Sequence, residues 1–163
     1  RLHGRDSEVS TWGLGMTEFV RITIEGTPVA KARPRFTRNG VPYTASATAA
    51  YEKRVAEEAA LAMLLLRLKP TTAPVRVDIA LVFPIPPTWP KARRAAALIG
   101  HILPMSADID NVCKGLLDAC NDVVFKDDCQ VVELHATKSY GLKAMAVVRV
   151  AEIIPQIAVE VAS

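Results

Sequence analysis

Acidic residues crowd one short stretch around a lysine: Asp108-Ile109-Asp110-Asn111, then Lys114 and Asp118, then Asp127-Asp128. Each part has an ordinary structural use. An Asp ahead of an apolar periodic run suits a helix N-cap, Asp110 and Lys114 make an i,i+4 pair, and Asp127-Asp128 suits a polar turn. Together they exceed what caps and turns need, because a cap takes one acceptor and here two stand at i and i+2, with two more further on. A helix of about eleven residues is roughly 16 Å long, and a strand-like Val123–Phe125 would bring the chain partly back along it. Asp108, Asp110 and Asp128 can then converge. Converging carboxylates repel unless a cation lies between them, and a few hard oxygen ligands with room for water suit Mg²⁺, with Mn²⁺ as a substitute. An EF-hand is excluded, since Val112 and Lys114 stand where further oxygen ligands belong.

A carboxylate-held Mg²⁺ serves phosphoryl chemistry by polarising the phosphate and lowering the pKa of a bound water. Lys114, one turn beyond Asp110, would supply an ammonium for the charge of a pentacovalent transition state. The chain has no Gly-rich Walker loop and no GxSxG elbow, and neither His101 nor His135 has a nucleophile beside it in sequence. A second stretch, Lys31-Ala-Arg33-Pro-Arg35-Phe36-Thr-Arg38, packs four cations into eight residues. Such a patch suits backbone phosphates, with Phe36 available to stack on a base. Lys91, Arg93 and Arg94 extend the same candidate surface, whereas Trp89 in its Pro-rich bend is expected to plug the core.

The elements that would carry these residues follow from periodicity. Val20, Ile22 and Ile24 alternate with polar residues in a first strand. After the basic segment, 47–68 reads as a long amphipathic helix with Tyr51, Val55, Ala59, Ala62, Met63 and Leu66 on its apolar stripe and Glu52, Lys53, Glu57 and Glu58 outward. A second strand runs from Val75 to Phe83, a short helix starts after Pro90, and a second main helix spans about 110–120. Strands are expected at 123–125, 130–138 and 143–154, the last two as a hairpin turning at Tyr140-Gly141. The order predicts an α+β fold, a mixed β-sheet packed with two main helices.

At 163 residues, 50% hydrophobic and a net charge of +3, the chain suits one globular domain over 16–163, with residues 1–15 expected to be an N-terminal arm or tag remnant. No apolar run approaches the ~18–20 residues that cross a bilayer. Cys113, Cys120 and Cys129 form no CxxC pair, so neither a disulfide framework nor a zinc site is expected. Cys113 and Cys120 fit core packing, and a cytoplasmic setting is expected.

These motifs resemble the RusA-type Holliday-junction resolvases, particularly phage-encoded members, over most of 19–149. The similarity lies in Ile24-Glu-Gly26-Thr-Pro28, Lys31-Ala-Arg33-Pro34-Arg35, Tyr43, Trp89-Pro90-Lys91 with Gly100-His101, and above all Asp108-Ile-Asp110-Asn111, Lys114, Asp118-Ala119, Asn121 and Asp127-Asp128 with Gln130-Val131. The resemblance implies a Mg²⁺-dependent endonuclease of bacterial DNA recombination and repair, a homodimer that nicks a four-way junction symmetrically. It implies Asp108, Asp110 and Asp128 as catalytic acids and metal ligands, Asp127 as an assisting ligand and Lys114 as the catalytic lysine. Two positions depart from the family pattern: Ala107 replaces the usual Pro before the first acid, and Asp122 the usual Gly after Asn121, a turn that Asp tolerates. The rival expectation is a non-catalytic protein of branched or single-stranded DNA with structural Mg²⁺.

Overall fold

The structure, a computed structural model, describes residues 16–31, 35–36, 42–43 and 46–154. The arm expected at 1–15 lies outside the described residues. Strand β1 (Met16–Glu25) is followed by a two-residue ribbon, β2 (Arg35–Phe36) with β3 (Pro42–Tyr43), then α1 (Ser46–Leu65), β4 (Val75–Pro84), α2 (Lys91–Leu98), α3 (Ile109–Cys120), a 3-10 turn (Asp128–Gln130), β5 (Val131–Gly141) and β6 (Met145–Ile153). The main sheet has the order β1-β6-β4-β5. β6 runs antiparallel to both β1 and β4, and β5 runs parallel to β4. This is the expected mixed-sheet α+β architecture, and no described helix is long and apolar enough to cross a membrane.

The expected C-terminal hairpin is absent. β6 lies between β1 and β4, on the opposite side of β4 from β5. Burial explains the order: Ala146, Val148 and Val150 of β6 are fully buried, a pattern suited to a central strand, whereas β5 is mostly exposed and takes an edge. Gly141 is therefore no hairpin turn but the last residue of β5, paired with Pro84, and a Cβ there would come within 2.5 Å of Val82 Cγ1.

Val123–Phe125 is likewise a turn rather than a strand, joined to neighbours only by isolated bridges from Phe125 to Thr71 and Asn121. Its apolar residues look strand-like because Val124 and Phe125 plug the core. Helix α1 ends earlier than its composition suggests. Arg67 adopts φ 55°, with Arg67 N–H donating to Leu64 O and Leu68 N–H to Met63 O, the bonding of a Schellman stop. Leu66 consequently leaves the apolar stripe and is exposed, whereas Tyr51, Val55, Ala59 and Met63 are buried. Helices α1 and α3 pack on the sheet face formed by Val20, Ile22, Val77, Ile79, Leu81 and Val148, and Cys113 and Cys120 are buried in that core.

Candidate active site

Helix α3 buries Val112, Cys113, Leu116 and Cys120, and this spacing leaves Asp110 and Lys114 together on its exposed side. Asp110, Lys114 and Asp128 line one cleft of about 450 Å³, walled by Cys113, Leu117, Leu134 and Ala136. Two carboxylates and a lysine thus face one space above an apolar floor. Among the described residues neither Asp110 nor Asp128 enters an ion pair, and Asp110 forms none with Lys114. Burial, followed by the Asp110 charge, raises the Cys113 thiol pKa.

Asp108 stands at the N-cap position of α3 with extended backbone, yet its side chain accepts no capping hydrogen bond. Among the described residues its side-chain partner is Asn111 Nδ2 at 3.3 Å. Asp127 behaves oppositely. Its Oδ1 accepts from Cys129 N–H at 2.8 Å, and Gln130 Oε1 accepts from Asp127 N–H at 2.9 Å, closing a capping box. Hydrogen bonding from the Cys129 thiol, and then from its backbone N–H, lowers the Asp127 carboxyl pKa. Asp108 and Asp127 are absent from the cleft lining, and among the described residues no three Asp, Glu, His or Cys side chains form a metal-holding group. The donor set that remains, two carboxylates facing space for water and phosphate, is one that a largely hydrated Mg²⁺ accepts and a closed all-protein cage is not.

The basic residues separate into two groups. Lys31 donates to Asp118 and stands 3.6 Å from Glu52. The bond to Asp118 raises its pKa against the opposing effect of burial. Glu52, expected outward, is therefore turned toward α3. Arg33 and Arg38 lie outside the described residues, and Arg35 and Phe36 form β2 opposite Tyr43 and Pro42. Lys91, Arg93 and Arg94 are exposed on α2. Trp89 is no core plug: the Arg93 guanidinium lies 4.0 Å from its ring centroid, and Tyr140 meets it edge-on at 5.3 Å, so cation–π contact fixes Arg93 at the surface.

Three further residues bear on the site. Lys138 of β5 donates to Ala107 O at 2.7 Å, immediately before Asp108. Gln130 and Thr71 hold the turn that leads into Asp128. The Asp-x-x-Gln spacing signals the cap, but pairings between residues so far apart in sequence have no local signature.

The RusA endodeoxyribonuclease family model matches residues 25–151. The chain belongs to the RusA family. Its match includes the uncharacterized protein YqaN of Bacillus subtilis (strain 168), 32% identical over 142 residues, which cover 82% of this chain and 96% of that protein. The family match spans both the acidic cleft and the α2 surface, so this RusA-family chain is a nuclease whose phosphodiester chemistry suits the carboxylates and lysine just described.

Proposed function

We propose that the protein is a Mg²⁺-dependent, structure-selective endodeoxyribonuclease that resolves four-way DNA junctions by paired symmetric nicks, as a homodimer, in DNA recombination and repair. The observation that supports this best is Asp110, Lys114 and Asp128 facing one cleft, with neither carboxylate engaged in an ion pair among the described residues. Asp110 and Asp128 would hold the metal, with Asp108 a further acid at the helix start, outside the cleft lining. When bound, Mg²⁺ supplies a water of lowered pKa and neutralises charge on the scissile phosphate. Lys114 extends its ammonium toward the same cleft, where it stabilises the extra negative charge as the water oxygen bonds to phosphorus and the strand oxygen departs. The apolar wall of Leu117, Leu134 and Ala136 limits competing water. Lys91, Arg93 and Arg94 contact backbone phosphates of the junction arms, and a two-fold protein matches a two-fold substrate.

The test compares a labelled four-way junction with a linear duplex of the same sequence, in Mg²⁺ and in chelator, across several core sequences. Metal-dependent paired nicks in the junction alone, lost in Asp110→Asn, are expected. Junction binding without nicks in any core or metal would instead establish a non-catalytic branched-DNA protein.

A further inference from the structure

Asp128 sits on a turn with little of its own to hold it. Asp127, Asp128 and Cys129 are all exposed, and the 3-10 turn buries no residue. What ties it to the fold is the Gln130 carboxamide. Oε1 accepts from Asp127 N–H at 2.9 Å, while Nε2 donates to Thr71 O at 3.0 Å and to Ala73 O at 2.9 Å. Capping accounts for the first bond only. The two donated bonds reach back across the fold to the segment that enters β4 at Val75.

The anchor is itself fixed from several sides. Thr71 is 7% exposed. Its N–H donates to Val124 O at 2.9 Å, and its carbonyl also accepts from Lys126 N–H at 3.2 Å. Its hydroxyl donates to Glu152 of β6 and accepts from Ala73 N–H at 3.1 Å. Only a side-chain amide offers one acceptor and two donors in a single plane; a carboxylate has no donor, and lysine and arginine have no acceptor.

We propose that Gln130 is a positioning residue for the cleavage chemistry: its amide registers the Asp127–Cys129 turn to the Thr71–Ala73 segment and so sets where Asp128 stands opposite Asp110 and Lys114. This rests on the nuclease reading above. Residues that orient metal-binding side chains from behind typically matter by about 10–100-fold in affinity or activity.

The test uses Gln130→Met, which removes all three bonds at similar volume, and Gln130→Glu, which keeps the acceptor and turns a carboxylate on two carbonyls. Thr137→Ala, on β5 away from the turn, is the control. Thermal midpoints certify folding, and Gln130→Asn replaces any variant that fails. Four measurements are made: single-turnover junction cleavage, junction affinity in chelator, hydrogen exchange of the Asp127 amide, and binding of Mn²⁺ without DNA by water-proton relaxation. Cleavage about 10–100-fold slower, unchanged junction affinity, faster Asp127 exchange and weaker Mn²⁺ binding are expected. Cleavage within about twofold of the parent, or a loss matched by equal loss of junction affinity, would overturn the proposal. Should the parent cleave no junction at all, the nuclease reading fails while Mn²⁺ binding still decides this one: unaltered affinity refutes positioning, and weakened affinity sustains it.

Discussion

The two acid-bearing segments begin alike and are used differently. Each opens with an Asp at a helical N-cap, Asp108 before α3 and Asp127 before the 3-10 turn, with a second Asp shortly after it. Asp127 accepts the capping bond from Cys129. Asp108 accepts no such capping bond, only one from the Asn111 side chain at 3.3 Å. Position at a helix start therefore does not separate a structural carboxylate from one left for chemistry; the hydrogen-bond partners do. In both segments the residue facing the cleft is the second acid, Asp110 or Asp128, whose side chain takes no part in the cap.

The sharpest challenge to that contrast is to neutralise each acid in turn. Asp110→Asn or Asp128→Asn should slow junction cleavage by several kcal/mol of lost transition-state stabilisation, about a thousandfold or more, whereas Asp127→Asn should retain most activity; equal losses at Asp127 and Asp128 would erase the distinction. Next in size, Lys114→Met should lower the single-turnover rate by about 10²–10³ with junction affinity preserved, and a pure affinity defect would make Lys114 a DNA contact instead. On stability the order reverses. Asp127→Ala should lower the thermal midpoint and Asp108→Ala should leave it nearly unchanged, since only the former loses a cap.

The smallest effect is in pH. The Asp127 carboxyl has a folded pKa below its ordinary 3.8, so the stability that hydrogen bonding from the Cys129 thiol and N–H contributes is present above the unfolded value and lost as pH falls through the folded one. Acid unfolding followed in the parent and in Asp127→Asn should show that component in the parent alone.

The acidic cleft was legible because its signal is local: Asp at i and i+2, Lys one turn on, and a second Asp pair after the helix. The turn at Asp122 was legible too, with φ 59° at a residue type that tolerates it. What escaped depends on distant partners. Lys31 reads as a phosphate contact until Asp118 and Glu52 arrive beside it from α3 and α1. Tyr140-Gly141 reads as a hairpin turn because sequence shows a Gly between two apolar runs but not the Val82 side chain that demands it. Val123–Phe125 carries a strand's composition for a plug's purpose, since burial alone favours the same residues in either.

The placement of β6 has a consequence for how the chain acquires its shape. The last strand of the sheet in sequence occupies its interior, and β1 pairs with no other strand of the sheet. A nascent chain that has emerged only through β5 holds two separate pieces, β1 and the β4–β5 pair, with edges awaiting the same strand. Such long-range pairing slows folding and leaves strand edges open to wrong partners in the interval. The acidic cleft, built on α3 and β5, thus comes to rest on a completed sheet only when the final strand slides into its middle.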